Sequence, residues 1–130
     1  MKYIKSYKPK LPKRGDYIVV NPINVIYNVD ELKEFIGNTI GRVSYIYDVV
    51  LNKDGEPSIY PEKNMKGDKT IKEMTIQFFN IPERIISWFE SGKYAGKINY
   101  YLRFNVTDIV DFAKTPEELE YILKSNKYNL

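Results

Sequence analysis

The sequence predicts a mainly β domain with helices: a small barrel of about five strands plus a C-terminal helix. Three observations carry this expectation. Runs of β-branched and aromatic residues recur as "DYIVV", "RVSYIYDVV", "TIKEMTIQFF" and "INYYLRF". Gly, Pro, Asn and Asp punctuate the stretches between them. The last sixteen residues open with "TPEEL", a strong helix-start signal. A length of 130 residues fits one core, and the chain divides into a basic arm at 1–14 and one globular domain at 15–130.

The elements follow in order. "DYIVV" is a strand bounded by Gly15 and Pro22, and "INVIY" is expected to continue it. "NVDELKEFIG" reads as a short helix, with Asn28 and Glu31 as a capping box and Leu32, Phe35 and Ile36 on one face. In "TIGRVSYIYDVVLN", alternation places Val43, Tyr45 and Tyr47 on one face against Arg42, Ser44, Ile46 and Asp48. Both faces are largely apolar, so this strand is expected to be central. A long polar connection follows at 53–69. In "TIKEMTIQFFN" the set Lys72, Met74, Ile76 and Phe78 faces away from Ile71, Glu73, Thr75, Gln77 and Phe79. "NIPERIISWFESG" reads as a helix or helical turn with a second box at Asn80 and Glu83. "KINYYLRFNVTDIVDFA" reads as strand broken near 105–108. Thr115, Pro116 and Glu118 then start the final helix, whose stripe is Leu119, Ile122 and Leu123.

Composition removes several chemistries. The chain has neither His nor Cys, which rules out a Ser-His-Asp triad, a Cys-His pair, a thiolate or imidazole zinc site and any disulfide. Magnesium held by carboxylates remains open, from Asp108 with Asp111 or Asp16 with Asp48, although spaced acids are more often a solvated face. No catalytic motif assembles, so the expectation is a non-enzymatic protein without metal or cofactor. No apolar run reaches the ~20 residues of a membrane span, and the first ten residues lack a signal-peptide core. The expectation is therefore a soluble, cytoplasmic protein with no membrane partner. Much Lys and Glu with a single Gln and no Cys is a hyperthermophile tendency, while eleven Asn argue the other way and fit an A·T-rich genome; a viral or phage accessory protein is the expectation carried forward.

The net charge of +3 is unevenly placed. Six of the twenty basic residues, and none of the seventeen acids, lie in residues 1–14, so the remainder carries a net of −3. Segregation of this kind points to an arm that meets a polyanion.

Two segments carry a resemblance. "KRGDYIVV" is a Gly-Asp lead into a first strand, and "IGNTIGRVSYIYDV" is a Gly-x-Val lead into a second. The pair resembles SH3-like small barrels, including the KOW-type barrels of ribosome and transcription proteins. "MTIQFFN" would be the third strand and "YLRFNVTDIVDF" the last two, over roughly residues 13–112. "RGDYIVVNP" also resembles the first strand of the MazF/PemK toxin ribonucleases, whose catalytic Arg with Thr or Ser is not recognisable here, so no activity is implied. The helix at 28–37 and the segment at 53–69 are longer than such a barrel needs. The alternative is an α+β split βαβ sandwich, which the same element order also spells.

The candidate site residues form two groups. For nucleic acid they are Lys2, Lys5, Tyr7, Lys8, Lys10, Lys13 and Arg14 in the arm, with Arg42, Tyr45, Tyr47 and Arg103 on strands. Lysines neutralise phosphates and tyrosines stack on bases. The plainer reading is a solvated terminus and cross-strand aromatic pairing. Trp88 is the second candidate, as a plug at a barrel end or as an anchor for a protein partner. The leading expectation is a nucleic-acid-associated binding module. The runner-up is a protein–protein interaction module or an inhibitor of a host protein.

Overall fold

The computed structural model describes residues 11–128 apart from 26 and 64. Six strands form one sheet: β1 (Tyr17–Val20), β2 (Gly41–Leu51), β3 (Lys69–Phe78), β4 (Glu90–Tyr94), β5 (Lys97–Asn105) and β6 (Ile109–Ala113). Two helices, α1 (Asp30–Gly37) and α2 (Glu120–Tyr128), and several 3-10 turns complete the described residues. The protein is mainly β with helices. The strand order is β4-β5-β3-β2-β1-β6, and every pairing is antiparallel. In a split βαβ unit an α-helix joins two parallel strands that flank a third; here α1 joins β1 and β2, which pair antiparallel, and the parallel strands β3 and β4 that flank β5 are joined by a 3-10 turn. The sheet is not closed into a barrel: β4 and β6 are its edges, and no ladder joins them.

The main core lies on one face. Ile18 and Val20 of β1, Val43 of β2, Met74, Ile76 and Phe78 of β3, Leu102 and Phe104 of β5 and Phe112 of β6 point to it. Leu32 and Ile36 of α1 cover them, with Ile85 and Phe89 from the segment after β3. Phe35, Phe78, Phe89 and Phe104 meet with ring centroids 5.7 to 6.2 Å apart, the tilted and edge-on arrangements that aromatic quadrupoles favour. Gly41 is required where β2 crosses β3, because a Cβ there would lie 2.5 Å from Ile76 Cγ2 and 3.0 Å from the Gln77 carbonyl oxygen. On the opposite face a smaller cluster of Val19, Leu119 and Ile122 fastens α2 over β1. The other strands of that face are left uncovered by α2.

Local details depart from the sequence expectations at four places. Alternation fails in β2, because Val43 pairs with Ile76 and Tyr45 with Thr75, which leaves Ser44 as the extra residue of a bulge. Val43 is consequently buried while Tyr45 is 53% exposed. The Asn28–Glu31 capping box does not form. The helix starts after Val29, Lys33 Nζ donates to Asn28 Oδ1 at 2.8 Å, and Glu31 turns to Arg84. The second box also fails: Asn80 sits at φ 55°, Pro82 precedes a 3-10 turn at Glu83–Trp88, and "ESGKY" is a strand rather than a helix end. "INVIY" does not extend β1, since Pro22–Asn24 is a 3-10 turn whose Ile23 N–H donates to Asn21 Oδ1 at 3.0 Å.

Elsewhere the expected signals operate. Glu118 accepts from the Thr115 N–H and hydroxyl at 3.3 and 3.1 Å, and Leu119 and Ile122 are buried. The break at 105–108 is a 3-10 turn at Val106–Asp108. Buried Asp108 accepts from the Asn105 N–H at 3.1 Å and from Asn24 Nδ2 at 3.0 Å, which joins the β5–β6 corner to the loop after β1.

Candidate nucleic-acid interface

The antiparallel register aligns side chains in rows across the face opposite the main core. One row runs Tyr17, Arg42, Gln77, Tyr101, Glu90 across β1, β2, β3, β5 and β4. The next holds Tyr45, Thr75 and Arg103, and the third Tyr47, Glu73 and Asn105. The Ser44 bulge is what delivers Tyr45 and Tyr47 to this face.

Between the chain before β1 and the β4–β5 hairpin lies an open groove of about 520 Å³. Its charged lining is Arg14, Arg42 and Lys97, and its aromatic lining is Tyr45, Tyr94 and Tyr101. Among the described residues no carboxylate lines it. Gln77 and Asn99 join the lining, with Gln77 Nε2 donating to Asn99 Oδ1 at 2.9 Å.

The turn before β1 sets the two arginines. Lys13 N–H donates to Asp16 Oδ2 at 2.8 Å and Asp16 N–H to the Lys13 carbonyl at 2.9 Å, so Arg14-Gly15-Asp16 is turn chemistry. Gly15 has φ +92°, a left-handed conformation that side-chain-bearing residues rarely adopt. Its N–H donates to the Val43 carbonyl at 2.8 Å, pinning the turn to β2. The Arg14 guanidinium then lies over the Tyr45 ring, 4.7 Å from its centroid, and that of Arg42 lies 5.6 Å from the Tyr17 centroid. Arg42 Nε also donates to the Gly15 carbonyl at 3.3 Å. Among the described residues no carboxylate pairs with either arginine.

The sequence candidates are placed as follows. Arg14, Arg42 and Tyr45 meet in the groove. Lys13 is exposed in the same turn but does not line it. Arg103 shares the face yet is committed to Glu90, at 2.9 and 3.1 Å, and that contact raises its guanidinium pKa further. Tyr47 is half-buried, its hydroxyl 3.4 Å from Glu73 Oε1, and burial raises its pKa. Lys2, Lys5, Tyr7, Lys8 and Lys10 lie outside the described residues. Tyr101 belongs to a Tyr/Arg strand face that the sequence shows, but Tyr94 and Lys97 are not among the candidates, because strand β4 and its hairpin turn to β5 carry no hydrophobic period. The signal for the hairpin is "YAGK", where Ala95 and Gly96 both have positive φ, the conformation of a tight hairpin turn.

Trp88 stands elsewhere. Ile85 and Phe89 on either side of it are buried, while Trp88 is 38% exposed with its ring 4.9 Å from that of Tyr27. The two line a second groove of about 260 Å³ with Val25, Leu102 and the Glu90–Arg103 pair. The acids considered for magnesium are each engaged. Asp108 caps its turn, Asp111 Oδ2 accepts from the Tyr121 hydroxyl at 2.5 Å, Asp48 pairs with Lys72 at 2.6 Å, and Asp16 closes the Lys13 turn. Among the described residues no group of three potential metal ligands converges, and no helix is long and apolar enough to cross a membrane. Compared with protein families, curated proteins and solved structures, the chain gives no match.

Proposed function

We propose that this chain is a non-enzymatic binding module that engages nucleic acid through the Arg14–Arg42–Lys97 groove, with the lysines of the arm adding sequence-independent attraction. The observation that carries this reading is the groove lining: among the described residues, three cations and three tyrosines with no carboxylate. Cations neutralise phosphates, tyrosine rings stack on bases, and together they make the combination that polyanion grooves use. Fluorescence titration of labelled DNA and RNA at about 50 and 200 mM salt tests it. Binding at low salt that weakens steeply at the higher concentration is the expected result, and no binding at low salt overturns it. Deleting residues 2–10 tests the arm, whose contribution falls if affinity and salt dependence are unchanged.

The reading extends to the fold. The strands that the SH3-like resemblance assigns coincide with β1, β2, β3, β5 and β6, in that chain order and all antiparallel, and β4 is then an added edge strand. An opened SH3-like barrel is the architecture we infer, by analogy only.

A second reading has its own observation. Trp88 and Tyr27 present a contacting, part-exposed aromatic pair beside a charged pair, a composition typical of protein-interaction anchors. A partner captured by the wild type and lost with Trp88→Ala, the fold being retained, favours this surface.

A further inference from the structure

The groove has two chemically different halves, and the sheet register fixes which is which. On the β1–β2 side stand Arg14 and Arg42 about the Gly15 turn, with Arg42 Nη2 3.8 Å from the position a Gly15 Cβ would take. Each guanidinium is laid against a tyrosine ring, and Arg42 uses Nε on the Gly15 carbonyl. The Nη groups of two preorganised guanidiniums are left for an acceptor. Planar guanidinium forks match phosphate oxygens, and an aromatic support lowers the entropy cost of holding them.

On the β4–β5 side stand Tyr94, 77% exposed, and Tyr101, with the Gln77–Asn99 amide pair between them and β2. That amide bond uses Gln77 Nε2 and Asn99 Oδ1, leaving the Gln77 carbonyl oxygen and the Asn99 amide hydrogens for a base edge. Strands β2 and β5 are separated by β3 alone, so the halves lie two sheet spacings apart, about 10 Å. A duplex hides its base faces in its own stack, whereas a single strand offers them to aromatic side chains.

Building on the nucleic-acid reading, we infer that the ligand is single-stranded, with a backbone phosphate clamped between Arg14 and Arg42 and an unstacked base held at Tyr101 and the Gln77–Asn99 pair. The experiment uses three fluorescent probes of about ten nucleotides: oligo(dT), an abasic strand of equal length, and a duplex. Each is titrated by anisotropy between about 50 and 200 mM salt. Oligo(dT) is expected to bind about tenfold or more tighter than the abasic strand. Tyr101→Leu, which keeps apolar bulk and removes the ring, is expected to close that gap without altering the salt slope. The double variant Arg14→Ala/Arg42→Ala removes two exposed side chains that share one phosphate, and the slope of log K against log salt is expected to fall by about 0.7. An unchanged slope overturns the clamp while leaving the broader reading intact. Equal affinity for oligo(dT) and the abasic strand overturns the base subsite, and tighter binding of the duplex overturns the single-strand assignment. Failure of every probe at low salt overturns the nucleic-acid reading itself.

Discussion

Val43 and Tyr45 stand on opposite faces of the sheet although only Ser44 separates them. Val43 pairs with Ile76 in the core, and Tyr45 pairs with Thr75 beneath the Arg14 guanidinium. Ser44 has no partner on β3, so the strand makes its facial switch there. Deleting Ser44 leaves Val43 and Tyr45 as ordinary successive residues on the faces they already occupy. That variant is expected to fold cooperatively, with a loss of about 1–2 kcal/mol for the altered strand bend. Deleting Ile46 instead moves Tyr47 and the residues beyond it to the wrong face, with an expected loss above about 4 kcal/mol. Urea unfolding of the two variants measures the contrast.

Asp108 is the only buried charged residue among the described residues, and its carboxylate holds the corner between β5 and β6. Asp108→Ala strands the Asn105 N–H and the Asn24 amide. The expected cost is about 2–4 kcal/mol, with a smaller loss for Asp108→Asn, which keeps one acceptor. Denaturant midpoints of the two variants rank them; equal losses count against the hydrogen-bonding role.

The Arg84–Glu31 contact ties α1 to the 3-10 turn at Glu83–Trp88, with Arg84 Nη2 2.6 Å from Glu31 Oε2. The hydrogen bond from Arg84 holds the Glu31 carboxyl below its ordinary value of 4.5. A lowered carboxylate pKa adds stability above the unfolded-state value and loses it as pH falls through the folded-state value. Glu31→Gln is therefore expected to unfold at lower denaturant than wild type near neutral pH. The two are expected to converge as the solution is acidified below about 4.5. Paired melts across that range check the sign.

Gly41 and Gly15 fail differently when substituted. Gly41→Ala drives a methyl group into Ile76 and the Gln77 carbonyl, for an expected loss of about 2–3 kcal/mol with m-value retained. Gly15→Ala makes only an ordinary contact, with Arg42 Nη2 at 3.8 Å, but strains the backbone, for about 1–2 kcal/mol. Because Gly15 sets the Arg14 turn, its substitution is also expected to weaken oligonucleotide binding more than Gly41→Ala does at equal folded fraction. Anisotropy on folded protein separates the two.

Strands β1, β3, β5 and β6 were legible because each has a buried side with a two-residue period, and the last helix was legible because Thr115, Pro116 and Glu118 are local signals. Three features were not. The Ser44 bulge leaves no trace in an alternation of Val, Tyr and Ile that is apolar on both faces. Strand β4, "ESGKY", is exposed along its whole length, so no hydrophobic period marks it. Asn28 and Glu31 matched a capping box, but Glu31 found Arg84, fifty-three residues away, and a long-range ion pair is invisible to local pattern. The groove was half legible for the same reasons. Arg14, Arg42, Tyr45 and Tyr101 are legible as strand-face or arm residues, and Tyr94 and Lys97 at the hairpin turn are not.

Attachment of α2 over β1 leaves the rest of that face without a covering helix among the described residues, and the groove side chains have almost no part in the main core. Foldability and ligand preference are thus encoded in largely separate sets of residues. Substitutions at Arg14, Arg42, Tyr45, Tyr94, Lys97 and Tyr101 meet little resistance from packing. The same scaffold could be retuned toward another ligand in small steps, each variant passing through a folded protein.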